Sequence, residues 1–317
     1  MIEWGINALN HDASIAVFRD NKLIFHRRSS EYSGIPRDSE LNQAIVDHAI
    51  RLGYPEKIYW YERPLVKKTR QAYAGQWRWF FDVTEFPAWY LKDYIVDTPI
   101  TYTSHHHSHA AAGYYTSPFN HCAVVVIDAI GEWESISIWE GSQDKLKKRW
   151  SQSYPTSLGL FYSAFADLLG FKPTKEEHLL QQLSEEGNPH RFYGQVKTYF
   201  NSDGTAKYNL HKGVTNWGAV KEEDRADIAA SVQLVFEEQV DWIMAKAREL
   251  IDTDCLIYMG GCAMNSKYNK RLANRWKHIW SLPFPGDAGS AVGAVLAKKK
   301  IRIDYPEQII KHLEIKK

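Results

Sequence analysis

The densest chemistry in the chain is the run Ser104-His105-His106-His107-Ser108-His109, four imidazoles within five residues. Ser104 is placed to cap a helix and Pro118 to stop it, so the histidines occupy its first turns, and His105 and His109 share one face. Neutral imidazoles one turn apart can converge on a single cation. The zinc-protease pattern would need Glu where His106 stands, so that reading lacks its general base. Taken alone, the run is equally a polar helix start with its imidazoles in solvent or on backbone. Asp128, after the apolar strand Val124–Ile127, and Asp287, in the turn Gly286-Asp287-Ala288-Gly289, both fall at carboxyl ends of strands, where α/β sheets gather ligands. Singly they read as an Asx turn and a helix cap. Only their joint occurrence with the histidines points to a metal.

Two further features could do chemistry. His11-Asp12 sets an imidazole beside a carboxylate in the turn after the first strand, and histidine serves as a general base near neutral pH when the substrate proton lies within reach. The plain alternative is a turn with an exposed histidine. Gly260-Gly261 and Gly286 to Gly289 could bring backbone N–H groups to phosphate oxygens at helix starts, although neither fits the Walker or Rossmann spacing. Gly289 and Gly293 could equally serve close helix packing. Asn265 could bond a ribose or phosphate, or cap a helix.

The elements that must position these groups repeat. Trp4 to Leu9, Ser14 to Phe18 and Leu23 to Phe25 are short apolar runs between polar turns, a β-meander. The same phrase returns at Ala123 to Ile127, Glu134 to Trp139 and Leu146 to Trp150. Each copy carries an acidic residue in its first turn and leads to a helix, Leu41 to Arg51 or Leu158 to Leu169. Farther on, Ile228, Val232, Val235, Phe236, Val240 and Ile243 follow helical spacing to Leu250. Strand Leu256 to Met259, a helix from about Ala263, strand Ile279 to Leu282 and a helix of small residues to about Lys298 complete an α/β pattern. The basic residues Lys298 to Arg302 and Lys316-Lys317 read as solvated surface. The expected architecture is α/β with two related lobes: residues 1–104, interrupted by an aromatic and basic helical insertion at about 61–94, and residues 105–317, whose final helix returns to the first lobe.

Composition sets the outer limits. A chain of 317 residues, 44% hydrophobic and 24% charged, can bury two domain cores. Its net charge of +1 argues against a polyelectrolyte binder. Cys122, Cys255 and Cys262 form no CxxC pair and are too few for a disulfide framework. No apolar run nears the ~20 residues that span a bilayer, and the N-terminus lacks signal-peptide character. The chain is therefore expected to be cytoplasmic and off the membrane.

Together the phrases GINALNHDAS, SHHHSHAAAGYYTSPF, VVVIDAIGEWES, SLGLFYSAFADLLGF, DIAASVQLVFEE, MGGCAMN and PGDAGSAVGA resemble, in order from Gly5 to Ala294, the carbamoyltransferases of the nodulation and antibiotic-biosynthesis type. Their catalytic domain is similar to that of the tRNA threonylcarbamoyladenosine synthase. The resemblance implies a duplicated RNase-H-like fold, shared with actin and sugar kinases. It implies His105, His109, Asp128 and Asp287 as ligands of iron or another divalent metal, and His11, beside Asp12, as the catalytic group facing the carbamoyl group and the acceptor hydroxyl. Gly260, Gly261 and Asn265 match the nucleotide turn, and Gly286 to Gly289 the last phosphate-side turn. The implied reaction passes through carbamoyl-adenylate, made from carbamoyl phosphate and ATP, to an alcohol.

Two departures stand out. Family members commonly carry a carboxy-terminal YrdC-like domain, whereas this sequence ends at Lys317; either a separate YrdC-like protein supplies the intermediate or this domain handles both substrates. The family's Glu-Gly-Lys phrase appears as Glu176-Glu177-His178, and of the acidic-basic phrase after the first meander only Glu31 and Arg37 remain. In the insertion, Arg63, Lys67, Lys68, Arg70, Arg78 and Lys92 alternate with Tyr73, Trp77, Trp79, Phe80, Phe81, Trp89 and Tyr90, a pattern that could neutralise phosphates and stack on bases. The hydroxymethyl group of a modified cytosine in DNA is accordingly placed first as acceptor, with a sugar or antibiotic hydroxyl as rival. Against the nucleic-acid reading of the insertion stands an amphipathic segment packed on the lobe with its cations outward. A non-catalytic nucleotide-binding subunit and a sugar-kinase-like phosphotransferase are the other function classes.

Overall fold

Ten strands form two five-stranded sheets in a computed structural model that describes residues 1–305. The pair Lys316-Lys317 lies outside the described residues. The first sheet holds β1 (Ile2–Asn7), β2 (Ser14–Arg19), β3 (Lys22–Arg28), β4 (Lys57–Trp60) and β5 (Ile100–Tyr102), in the order β3-β2-β1-β4-β5. The second holds β6 (His121–Gly131), β7 (Glu134–Ser142), β8 (Lys145–Ser153), β9 (Cys255–Met259) and β10 (His278–Trp280), in the order β10-β9-β6-β7-β8, which is the first order read from the opposite edge. In each, three strands run antiparallel and two more join in parallel. This is the duplicated RNase-H-like fold, with the two meanders where the apolar runs put them.

Strand β6 shows why the second sheet is internal. Its run Cys122 to Ile127 is fully buried, as expected of a strand covered on both faces. Cys122, Val124 and Val126 pack into the core shared with the first lobe, while Ala123, Val125 and Ile127 enter a second core. Around the sheets lie α1 (Gln43–Leu52), α2 (Pro64–Tyr73), α3 (His105–Thr116), α4 (Leu158–Leu168), α5 (Arg225–Leu250), α6 (Ser266–Leu272) and α7 (Asp287–Lys299). Ile228, Val232, Val235, Phe236, Val240 and Ile243 are the buried stripe of α5. Among the described residues, no helix is long and apolar enough to cross a membrane.

Helix α7 ties the chain's late residues to its earliest strand. It packs on α3 and on β1, and Lys299 pairs with Glu3, which also accepts from the Tyr59 hydroxyl at 2.9 Å. Close approach is possible because Gly293 faces the Ser108 carbonyl, where a β-carbon would overlap the oxygen.

Two local expectations change. Ser104 occupies the N-cap position of α3, but its hydroxyl makes no capping bond; the Glu132 carboxylate instead accepts from the His105 N–H at 3.3 Å. The helix expected from about Ala263 begins as a 3-10 turn, Gly261–Met264, and turns α-helical at Ser266, where the Asn265 side chain caps the Tyr268 N–H at 3.0 Å. The insertion is helical: α2 is followed by short helices Trp77–Phe81 and Pro87–Tyr90.

Candidate active and metal site

Four side chains from three parts of the chain meet between the lobes. His105 and His109 project from the first turns of α3. Asp128 leaves β6 at an irregularity in its pairing with β7, and Asp287 opens α7. The His105 and His109 Nε2 atoms lie 3.1 Å apart. Asp128 Oδ2 is 3.2 Å from His105 Nε2 and 3.1 Å from His109 Nε2, while Asp287 Oδ1 is 3.4 and 3.2 Å from the same atoms. All four ligating atoms fall within 4.8 Å of one another, and all four residues are buried.

The electrostatics call for positive charge at this point. Burial alone would depress His105 and His109, yet the charges of and bonds to Asp287 and Asp128 hold both above the ordinary histidine range. Burial opposes ionisation of the two carboxylates, and the histidines nevertheless hold Asp128 and Asp287 below the usual carboxylate range. A cation bound at about 2.0–2.1 Å by four tetrahedral donors sets those donors about 3.4 Å apart. The five separations that involve an imidazole nitrogen, 3.1–3.4 Å, are close to this, and two imidazoles with two carboxylates suit a first-row divalent ion. The residues therefore fit the metal implied by the resemblance. His106 turns away to the Ser137 hydroxyl at 2.8 Å, with burial holding it well below its usual value, and His107 stacks on Trp139. Neither joins the cluster.

Single residues invisible in the motifs support it. His105 Nδ1 is buried without a hydrogen-bond partner, and Glu62 Oε2 stands 4.0 Å away; the other Glu62 oxygen accepts from Lys67 at 2.9 Å. A carboxylate behind the second nitrogen of a ligating histidine fixes its orientation. Tyr61 packs its ring 5.3 Å from that of His105, and its buried hydroxyl also lacks a partner. Glu132, besides capping α3, accepts from the Arg63 N–H at 2.7 Å and takes its guanidinium in a fork at 3.0 and 2.5 Å.

His11 and Asp12 reach the cluster from the β1–β2 loop. Leu9 and Asp12 both have positive φ, 70° and 53°, and Asn7 braces the turn by donating to the Asp12 carbonyl at 2.8 Å. Asn10 donates to Asp287 at 3.0 Å, and His11 Nε2 lies 3.6 Å from the same oxygen. Asp12 holds His11 Nδ1 at 3.3 Å and is itself held by Arg37 at 3.2 Å. Asp12 therefore orients His11. Arg37 also spans the cleft to Glu177 at 3.3 Å, the glutamate of the Glu176-Glu177-His178 phrase.

Two cavities meet here. One, of about 320 Å³, is lined by Gly261, Met264, Asn265, Tyr162 and His178, and the other, of about 890 Å³, opens toward the insertion. His11, Asp128, Ala129, Ser163 and Thr174 line both. Gly260, with φ 91°, takes a backbone conformation that side chains disfavour, and its missing β-carbon clears the Ile127 carbonyl. Gly261 faces the smaller cavity. Asn265 reaches its wall while bonded to both ends of the Gln233 amide. Gly286 and Gly289 do not line either cavity: Gly286 caps α7, and Gly289 is buried against the Phe284 carbonyl, the packing role that glycine also allowed.

Of the insertion's cations, Lys67, Lys68 and Arg70 are turned inward, whereas Arg63, Arg78 and Lys92 are exposed. Arg63 pairs with Glu132, Lys67 with Glu62, and Lys68 with Glu85 at 3.2 Å and the carbonyls of Trp79 and Asp82. Arg70 is buried. Arg78 and Lys92 sit over the insertion's own Trp79 and Trp89. Trp77, Trp79, Phe81 and Trp89 are exposed.

Comparisons with known proteins identify the family of the chain. A family described as carbamoyltransferase N-terminus matches residues 54–296. The chain is 30% identical over 346 residues to the uncharacterized protein sll1178 of Synechocystis sp., an alignment covering 92% of this chain and 56% of that protein. It is 27% identical over 210 residues to the nodulation protein NolNO of Sinorhizobium fredii, covering 62% of this chain and 31% of that one. The chain thus spans about half the length, or less, of these curated relatives. Among solved structures, full-length HypF in its phosphate- and nucleotide-bound form superposes with a TM-score of 0.50 at 11% identity, over 94% of this chain and 55% of that one, a likeness of fold alone.

Proposed function

The chain belongs to the carbamoyltransferase N-terminus family, and we propose that it transfers a carbamoyl group from carbamoyl-adenylate, formed from ATP and carbamoyl phosphate, to an acceptor hydroxyl. The observation that carries this reading is the meeting of two cavities at His11 and Asp128, beside the four-residue cluster. The smaller cavity, against the Gly261 turn, receives the adenylate, and the larger receives the acceptor. His105, His109, Asp128 and Asp287 would hold a divalent cation, iron or another, whose charge offsets that of the adenylate phosphate.

The remaining steps belong to the chain's own groups. An alcohol is a weak nucleophile at neutral pH, so its proton must leave as its oxygen bonds to the carbamoyl carbon. His11 Nε2 takes that proton, while the Asp12 carboxylate, anchored by Arg37, accepts from Nδ1–H and fixes the ring. The carbon–oxygen bond to AMP breaks, giving the carbamate and AMP. Asn10 and His11 both touch Asp287, which couples the loop's position to the metal cluster.

The acceptor is a small hydroxylated molecule in preference to hydroxymethylcytosine DNA, because four of the six insertion cations are ion-paired or buried and cannot follow a phosphate backbone. The test is incubation of the chain with ATP and carbamoyl phosphate, with and without a YrdC-like protein. Sugars, amino sugars and a hydroxymethylcytosine oligonucleotide serve as acceptors, with products read by mass spectrometry. Carbamate plus AMP is the expected outcome. ADP with a phosphorylated alcohol would establish a phosphotransferase, and nucleotide binding without product under all conditions would establish a non-catalytic subunit.

A further inference from the structure

Resting on that reading of the cleft, we infer that the larger cavity selects an acceptor bearing an anionic group, a carboxylate or a phosphomonoester, which docks on the guanidinium of Arg70. Arg70 projects from α2 into this cavity and is 8% exposed. Its Nε donates to the Glu132 carbonyl at 3.2 Å and its Nη1 to the Gln76 side-chain oxygen at 2.8 Å. Both partners are neutral acceptors. Among the described residues, no carboxylate comes within 4.0 Å of it, and a guanidinium has five N–H donors to place.

The neighbouring charges leave Arg70 as the excess. Lys67 is matched by Glu62 and Lys68 by Glu85, so three cations on one helix face two carboxylates. A buried cation without a counterion is costly, and arginine does not relieve the cost by losing its proton. An anion with the planar two-oxygen edge of a carboxylate or phosphate relieves it and uses the free donors. The other carboxylates around the cavity do not serve: Asp128 is engaged by His105 and His109. Glu40 and Asp167 are exposed at its margin, and the Asp82 carboxylate is engaged by the Thr84 N–H and hydroxyl.

Beside Arg70, Gln71 is 4% exposed, and its side-chain oxygen has no partner. Its amide nitrogen donates to Glu85 at 3.2 Å, which fixes the orientation, since a flipped amide would set oxygen against carboxylate. Gln71 thus borders the same cavity with its amide nitrogen fixed on Glu85 and its oxygen buried. From the other lobe, Lys212 lines the cavity as a further cation, and burial and the charge of Arg70 hold His211 below the ordinary histidine value. Trp79, 44% exposed, offers a ring face at the margin.

The experiment is equilibrium binding of glucose 6-phosphate, glucuronate and glucose to the full chain by calorimetry, in the presence of saturating AMP so that phosphate binding in the smaller cavity is blocked. At least one of the two anions is expected to bind about tenfold or more tightly than glucose, and which one does so distinguishes phosphate from carboxylate. That preference should disappear in Arg70→Gln and return in part in Arg70→Lys. Glucose binding as tightly as both anions, or a preference that survives in Arg70→Gln, would overturn the inference. The comparison on the unaltered chain stands even if Arg70→Gln does not fold. Failure of AMP to bind would count against the nucleotide role of the smaller cavity, leaving the anion comparison readable because Arg70 lines only the larger one.

Discussion

Acidification should unlock the start of α7 through His26, a buried residue outside the metal cluster. Its Nε2–H donates to the Ala288 carbonyl at 2.8 Å, and the Tyr305 hydroxyl bonds Nδ1 at 2.6 Å, so the neutral ring is fully satisfied. Burial pushes its pKa down from 6.5 to about 4. A depressed value means that the unfolded chain takes up a proton at a higher pH than the folded one. The stability contributed by neutral His26 is therefore complete above pH 6.5 and is lost as pH falls toward 4. At about 1.4 kcal/mol per pH unit, the loss reaches about 2 kcal/mol at pH 5 and about 3 kcal/mol below pH 4. His105 and His109, whose values are raised, contribute stability that is lost as pH rises, opposite in direction to His26, and their contribution is common to the wild type and a His26 variant. Urea unfolding of the wild type and of His26→Gln, in chelator and across this range, isolates the effect: the variant should lose stability less steeply by those amounts. Parallel stability curves for the two proteins would show that His26 does not titrate between the folded and unfolded states, and the argument would fail.

Three other outcomes follow from the geometry. Asp287→Asn should reduce bound divalent metal from about one ion per chain to a small fraction by elemental analysis, because it removes one anionic donor where two carboxylates face two imidazoles. Glu62→Gln should lower stability, because it leaves the inward-turned Lys67 ammonium without its carboxylate, and should weaken metal affinity of the folded protein by about 10–100-fold in a chelator competition, since it removes the charge behind His105 Nδ1; unchanged affinity would separate Glu62 from the site. Glu132→Ala should lower unfolding free energy by about 1–3 kcal/mol, because it leaves the His105 and Arg63 backbone N–H groups without their acceptor, while the half-exposed Arg63 guanidinium is taken up by water. A change under about 1 kcal/mol would show that water replaces the carboxylate at those N–H groups.

Much of this arrangement was legible because its signals are local. The meanders showed as apolar runs between polar turns, and β6 as a continuous apolar strand ending in Asp128. The pair His105 and His109 followed from helical spacing, and the motif order supplied Asp287 as their partner. Residues whose role depends on a distant contact left no such trace. Glu62 and Glu132 are lone acids after a strand and within a turn, and nothing in their spacing announces that one backs a histidine and the other caps its helix. The alternation of cations and aromatics in the insertion was visible, but direction was not. A lysine facing solvent and one paired internally have the same periodicity, and only the positions of Glu62 and Glu85 decide between them. Gly289 carried two meanings in the sequence, and its contact with the Phe284 carbonyl is one that no spacing in the sequence could show.

Helix α7 also constrains the order of assembly. The ribosome delivers both histidines and Asp128 some 160 residues before Asp287, the arithmetic being 287 less 128. Until α7 emerges and wedges between α3 and β1, a nascent chain can offer an ion three side chains at most. A cation held by all four side chains would therefore load only after Asp287 has been made, and a nascent chain halted before α7 would be unable to complete the cluster.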